Sequence, residues 1–305
     1  MSNVNEVTQN HRSGFVNIIG RPNVGKSTLM NQLVGERMSI ITNKPQTTRH
    51  RILGIVNEEE YQIVFSDTPG IIEDPSYKMQ KAMNAAVSTT FEDADLMLFV
   101  TDVKESWDTD DPVLERLRRV EAPLFLVLNK VDSVNEQQLE SQLNFWKKRI
   151  DFTAHFPISA LHGTGVAELV AAIVERLPEG PAYYPKDQLT DRSERFFVSE
   201  IVREKILEQY HQEIPYSTEV VVERFKEGST NSGEAITRIE ATIYTARKTQ
   251  KSIIIGKGGS GIKALGAAAR KSIEAWLGTK VYLELHVKVR EGWRDDDSAL
   301  RGFGY

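Results

Sequence analysis

The stretch Gly20-Arg21-Pro22-Asn23-Val24-Gly25-Lys26-Ser27-Thr28 constrains this chain more than any other. It follows the apolar, strand-like run Phe15–Ile19 and opens into the helix-like segment Leu29–Val34. Strand, GxxxxGK[ST] and helix in that order form the context in which the pattern becomes a phosphate-binding loop. Gly20 and Gly25 let the backbone bend tightly and aim its N–H groups inward, and the helix N-terminus adds positive potential. Lys26 can reach the β and γ phosphates as a point charge, while the Ser27 hydroxyl can ligate Mg²⁺. A glycine-rich turn that only caps a helix is the competing explanation, and the readable flanking strand and helix count against it.

At 305 residues the chain exceeds one typical domain, and two are expected. With no cysteine it has no disulfide, thiolate metal site or cysteine nucleophile. The opening Met1–Asn10 lacks the basic and apolar regions of a secretory signal, and apolar runs such as Leu96–Val100 fall far short of the ~20 residues that span a bilayer. A cytoplasmic protein is expected. The net charge of −5 is uneven: Lys186 onward carries 20 Lys/Arg against 18 Asp/Glu, whereas the first 185 residues carry 18 against 25. That asymmetry hints at different partners for the two halves.

After the loop and its helix comes a polar segment, Gly35–His50, and then two adjacent strands, Arg51–Asn57 and Tyr61–Ser66, the second ending in Asp67-Thr68-Pro69-Gly70. A helix over about 76–91 leads to the strand Asp95–Thr101. A helix over about 110–120 leads to Leu124–Leu128, which ends in Asn129-Lys130-Val131-Asp132. A polar helix, a short strand at Phe156–Ser159 and a helix at Val166–Leu177 follow. Alternating strands and helices predict an α/β fold, a doubly wound, mostly parallel sheet with its ligand loops at the carboxyl ends of the strands. Pro178–Pro185, with three prolines and a glycine, reads as the start of a linker. Beyond it the order becomes αββααβ, a small α+β domain. The expected division is a flexible N-terminus (1–13), a nucleotide domain (14–178), a linker (179–193) and a second domain with a C-terminal tail (194–305).

Asn129-Lys130-Val131-Asp132 points to the base. The Asp132 carboxylate can accept two hydrogen bonds, which guanine supplies and adenine does not. Lys130 would lay its aliphatic stem along the purine, Asn129 would tie the loop to the phosphate loop, and Ser159-Ala160-Leu161 would present a backbone N–H to guanine O6. Asp67 is placed to hold Mg²⁺, and Gly70 to offer its N–H to a γ-phosphate. Thr47 or Thr48 can add a hydroxyl to the metal; Thr48 is favoured. Between Arg247 and Lys271 lie seven Lys/Arg and no acid, on either side of the turn Gly256-Lys257-Gly258-Gly259. A turn without large side chains at a helix start lets a phosphate backbone approach. Ile253–Ile255 and Ile262 would line a groove for unstacked bases, with Lys257 and Lys263 on phosphates. Trp293 and Phe303 either stack on RNA or pack the tail.

The ordered set GRPNVGKS, TTR, DTPG, NKVD and SAL resembles the Era-like branch of the translation-factor-class GTPases. Ile255–Ile262 resembles the GXXG turn of a KH RNA-binding domain, and the ending WRDDDSALRGFGY resembles the C-terminus of that branch. The likeness covers about Phe15 to Tyr305. It implies hydrolysis of GTP to GDP and phosphate, with Asn23, Lys26, Thr48 and Gly70 as the catalytic set. It implies Mg²⁺ on Ser27, Thr48 and Asp67, and RNA on Ile255, Gly256, Lys257, Gly258, Gly259 and Lys263. It further implies the 3′ end of 16S rRNA and the small (30S) ribosomal subunit as partners of a monomer acting in subunit assembly. The other implied reading is a regulatory GTPase at the membrane surface, linked to the cell cycle and peripherally associated with the inner membrane. Ras-like enzymes place a water-orienting glutamine just after the Asp-x-x-Gly turn; here Ile71 stands there, followed by Ile72. In related GTPases an asparagine placed like Asn23 helps bind K⁺ in lieu of an arginine finger, so slow turnover stimulated by K⁺ or a partner is expected.

Overall fold

Two nearly unbroken apolar runs, LMLFVTD and LFLVLN, set the architecture of the first half. As β4 (Leu96–Asp102) and β5 (Leu124–Asn129) they are buried along almost their whole length. Strands of that kind need cover on both faces, which a parallel sheet flanked by helices supplies. The sheet also contains β1 (Arg12–Ile19), β2 (Ile52–Asn57), β3 (Tyr61–Asp67) and β6 (Ala154–Pro157), in the order β2-β3-β1-β4-β5-β6. Only β2 runs antiparallel to its neighbour. The described residues of the computed structural model are 11–42, 44–72, 74–91, 93–108 and 111–305. The first ten residues of the expected flexible N-terminus thus lie outside the described residues, while Arg12 and Ser13 belong to β1.

The helices of this unit among the described residues are α1 (Lys26–Val34), the part of α2 (Lys78–Thr89) from Met83 onward, α3 (Pro112–Leu117), α4 (Glu136–Lys147) and α5 (Val166–Arg176). Val113, Leu114 and Leu117 of α3 and Trp146 of α4 fill one face with Phe99 and Leu126. Trp146 is wholly buried, its ring 5.3 Å from Phe99 and 5.5 Å from Trp107, centroid to centroid. From β1 the chain turns to β2 and β3 on one side and later to β4 on the other. The crevice where strand order reverses therefore opens at the carboxyl end of β1. Register sets Ile18 beside Asp67 and Asp102 beside Asn129, so these polar groups share one edge.

The segment expected to be a linker is bonded to this unit as far as Asp191. Ser13 donates its hydroxyl to the Pro181 carbonyl at 2.7 Å, and the Ile55 N–H reaches the Leu189 carbonyl at 2.8 Å along the outer edge of β2. The Gln62 side chain, fully buried, accepts from the N–H groups of Tyr183 (2.7 Å) and Tyr184 (3.0 Å) and donates to the Tyr184 carbonyl (2.8 Å).

Ile40–Thr47, Asp74–Ala82 and Arg192–Tyr305 form a second compact unit, and the rest of the chain is the first. The second unit is therefore not the contiguous C-terminal stretch expected. Its elements are α6 (Glu194–Gln209), β7 (Thr218–Ser229), β8 (Ala235–Thr245), α7 (Lys248–Ile255), α8 (Ser260–Leu277), β9 (Lys280–Val289) and α9 (Asp297–Phe303). The sheet order is β7-β8-β9, with β7 antiparallel and β9 parallel to β8. Alternate residues Ile239, Ala241 and Ile243 of β8 meet Val198, Ile201 and Val202 of α6 and Leu265, Ala269 and Ile273 of α8. This period-two face against two helical stripes is the αββααβ core. Trp293 is buried and donates to the Ser217 carbonyl at 3.2 Å, with Phe303 5.4 Å from its ring, so both aromatics pack the tail. Within this unit Arg203, paired with Glu200, donates to the carbonyls of Gln46 and Thr47, and Lys44 donates to those of Leu207 and Tyr210. Among the described residues no helix is long and apolar enough to cross a membrane.

Gln62→Ala strands two backbone N–H groups in a buried site, at a cost of about 1–3 kcal/mol each where water cannot enter. The expected result is faster amide hydrogen exchange at Tyr183 and Tyr184, with exchange in β4 and β5 unchanged. Unchanged protection at both tyrosines would refute the tie.

Candidate functional site

The loop between β1 and α1 closes over the crevice. A Cβ at Gly20 would sit 2.2 Å from the Val100 carbonyl oxygen, and one at Gly25, whose φ is +102°, would sit 2.2 Å from the Asn129 amide nitrogen. Only glycine allows the loop to lie this close to β4 and to the end of β5. Lys26, 6% exposed, donates to the Gly20 carbonyl at 3.0 Å and the Arg21 carbonyl at 2.8 Å. Burial lowers its pKa to about 8, against the pull of Asp67 and Glu105.

At the end of β3 the Asp67 carboxylate has no solvent exposure. Its Oδ2 accepts from the hydroxyls of Ser27 and Ser39, both at 2.8 Å, and among the described residues its Oδ1 has no hydrogen-bond partner. Thr48 Oγ1 lies 2.9 Å from Ser27 Oγ, whereas Thr47 turns its hydroxyl to Thr42 and to the Lys44 carbonyl. Burial pushes the Asp67 pKa up; Lys26 and the three hydroxyls pull it down. Two hydroxyls beside a carboxylate with one bare oxygen are hard donors that suit a cation such as Mg²⁺.

The far side of the site is tied to the loop through Asn129. Its side chain donates to the Val24 carbonyl at 2.8 Å and accepts from the Ala160 N–H at 2.9 Å. Lys130 donates to the Asn23 carbonyl at 2.8 Å and pairs with Asp102 at 2.7 Å. The Ser159 hydroxyl donates to Asp132 at 2.5 Å, which holds that carboxyl below the usual range. Leu161 beside it is 72% exposed. Pro22 packs against Gly70, where a Cβ would come within 2.7 Å of the proline ring.

Not every expected residue turns its side chain inward. Arg21 stacks its guanidinium on Trp107 at 3.8 Å, donates to the Ser106 carbonyl at 3.1 Å and pairs with Asp111, the N-cap of α3. The Thr68 hydroxyl donates to the Ile18 carbonyl at 2.9 Å and braces β1. Ile71 packs on the Trp146 cluster. Ser39 was not singled out by sequence; its placement depends on Asn31, which accepts from the N–H groups of Met38 (2.9 Å) and Ser39 (2.8 Å).

In the second unit Gly258 and Gly259, at φ +59° and +80°, form the turn before α8, and a Cβ at either would meet nothing within 4 Å. Ile253 is 52% exposed and Ile255 half-buried, whereas Ile254 is wholly buried in the core, so only part of the expected isoleucine run reaches the surface. A cavity of about 430 Å³ lies between α8 and β9, lined by Ile262, Lys263, Gly266, Ala267, Arg270 and Leu283–Leu285. Apart from Ile262 and Lys263 these residues escaped sequence reasoning. The cue was present as small residues on one face of α8 between two cations.

Two family models match: a 50S ribosome-binding GTPase over residues 15–130 and a KH domain over residues 213–294. GTPase Era of Alkaliphilus metalliredigens is 44% identical over 296 residues, covering 97% of this chain and 99% of the relative. GTPase Era of Syntrophus aciditrophicus is 45% identical over 295 residues, covering 96% and 95%. A crystal structure of an Aquifex aeolicus Era variant bound to GDP·AlF₄⁻ superposes with a TM-score of 0.90 at 39% identity, covering 96% and 99%. Era in complex with MgGDPNP and nucleotides 1506–1542 of 16S ribosomal RNA superposes with a TM-score of 0.90 at 38% identity, covering 97% and 99%.

Triphosphate oxygens around Lys26 would raise its pKa above about 8. Above that pH the free protein has lost the proton that the complex retains, so binding takes one up and weakens as pH rises. Calorimetry in two buffers of different ionisation enthalpy should show uptake approaching one proton at roughly pH 9 and almost none at roughly pH 7. No uptake at the higher pH would contradict this account of Lys26.

Proposed function

The chain belongs to the Era family of GTPases, and from that membership we propose that it hydrolyses GTP with Mg²⁺ and binds the 3′ end of 16S rRNA during assembly of the small ribosomal subunit. The observation that carries the enzymatic half is the buried Asp67 carboxylate, with one bare oxygen beside the hydroxyls of Ser27 and Thr48. These three residues would hold Mg²⁺, which when bound neutralises charge on the phosphates. Lys26 binds the β and γ phosphates, the Gly70 N–H meets the γ-phosphate, and Asp132 accepts from the guanine edge. The RNA half rests on the KH match over residues 213–294 and on the groove between α8 and β9.

Thr48 follows directly on Ile40–Thr47, the segment whose last two carbonyls accept from Arg203. Ile71 offers no hydrogen bond to the attacking water, so a second cation, K⁺ near Asn23, is assigned the stabilising role of an arginine finger.

Asn23 has φ +64°, a left-handed conformation that asparagine tolerates and alanine does not. Asn23→Gly keeps that backbone and removes only the amide, so it is the cleaner test. Hydrolysis by the native chain should be at least about tenfold faster in K⁺ than in Na⁺, and Asn23→Gly should abolish the difference. Equal rates in the two salts would sink the K⁺ role.

Gly258→Asp meets no atom within 4 Å, and aspartate is among the few residues that tolerate the left-handed φ of +59° there, so it sets a carboxylate against the phosphate backbone at a small backbone cost. Affinity for a 16S 3′-end oligonucleotide should fall at least about tenfold while basal GTP hydrolysis stays at the native rate. Undiminished RNA affinity would overturn the KH assignment.

A further inference from the structure

The groove between α8 and β9 does not end at Arg270. A second cavity, of about 820 Å³, begins at the same arginine and continues along the last turns of α8 to the start of β9. Arg270 lines both. Lys263 and Arg270 lie two helical turns apart, roughly 10 Å along the axis, with Gly266 and Ala267 between them. A Cβ at Gly266 would meet only Leu285, at 3.6 Å, so packing does not demand glycine there. What its missing side chain leaves is open floor between two cations.

Among the described residues neither Lys263 nor Arg270 has an ion-pair or hydrogen-bond partner. Lys280, which also lines the second cavity, is engaged by Glu234 at 2.5 Å, so Arg270 is the cation there that is left to meet a phosphate. Glu274 lines the cavity too, fixed by accepting from the Val281 N–H at 3.0 Å. A carboxylate at that wall repels phosphate, so the cavity suits a base rather than backbone. Tyr282 completes it. This ring sits near the start of β9 and is 56% exposed, among the most exposed large side chains of the unit. An exposed aromatic next to a free cation is the combination on which single-stranded bases stack.

We propose that this second cavity is a separate nucleotide subsite, in which a base beyond those in the groove stacks on Tyr282 while Arg270 holds the phosphate joining the two. The proposal rests on the RNA reading of the groove and adds to it a longer footprint with an aromatic end-stop.

The test uses the full chain and nested single-stranded oligonucleotides from the 3′ end of 16S rRNA, lengthened one nucleotide at a time at either end, with affinity read by fluorescence anisotropy. For the native chain, one added nucleotide beyond the groove-filling length should tighten binding by at least about fivefold. Tyr282→Ala should remove that step and leave the shorter oligonucleotide's affinity unchanged; Tyr282→Phe should retain it. Because Tyr282 is exposed, neither change threatens the fold. Arg270→Ala should reduce the slope of log affinity against log salt by about 0.7, the share of one phosphate on a single strand. If the step survives in Tyr282→Ala, or is lost in Tyr282→Phe as well, the stacking subsite is wrong although the groove stands. An unchanged salt slope overturns the role of Arg270. Failure of the native chain to bind any length would instead overturn the RNA reading, and the subsite with it.

Discussion

A carboxylate sealed from water organises the nucleotide site. Leaving an ion in such a place without a partner costs several kcal/mol, and Asp67 sits at a strand end with no exposure at all. Two serine hydroxyls answer one of its oxygens, and among the described residues no hydrogen bond answers the other. Much of the neighbouring structure arranges that half-satisfied state. Asn31 fixes the backbone of Ser39, Thr48 is drawn to Ser27, and Lys26, its pKa lowered by burial and raised in part by Asp67, supplies a nearby positive charge. A hard cation shared with phosphate oxygens would remove the deficit, so the proposed metal and the nucleotide would bind together.

The opposite rim shows the same economy of contacts with neutral groups. One amide, Asn129, donates to the loop between β1 and α1 and accepts from the Ala160 N–H after β6, so a single side chain ties the two loops together. Lys130 repeats the link through the Asn23 carbonyl and Asp102. Gly25 lies directly against that amide, and any larger residue would force the two loops apart.

What could be read from sequence was whatever depends on short spacing. Gly20–Thr28, Asp67–Gly70, Asn129–Asp132 and the αββααβ order are local patterns whose chemistry follows from the residues themselves. Features set by distant partners escaped. Arg21 sits inside the phosphate-loop pattern, but Trp107 and Asp111, some ninety residues on, claim its guanidinium. Pro178–Pro185 reads as a free linker because nothing nearby reveals that a buried Gln62 will bind its backbone. Ile253–Ile255 looked like one apolar wall, but on a helix adjacent residues point apart, so Ile254 went to the core and Ile253 to solvent. Nor could spacing show that Ile40–Thr47 belongs with the second unit, because that depends on Arg203 and the carbonyls at the end of α6.

The measurement that bears most directly on this account is the affinity of a non-hydrolysable GTP analogue with and without Mg²⁺, for the native chain and for Asp67→Asn. An asparagine can fill the same space and still accept from Ser27 and Ser39, but it brings no charge to a cation. The native chain should bind at least about tenfold more tightly in Mg²⁺ than in a chelator, and Asp67→Asn should lose that gain while keeping its fold. Equal affinity of the native chain in both conditions, or an undiminished Mg²⁺ effect in the variant, would contradict the claim that the bare oxygen of Asp67 is the metal's place.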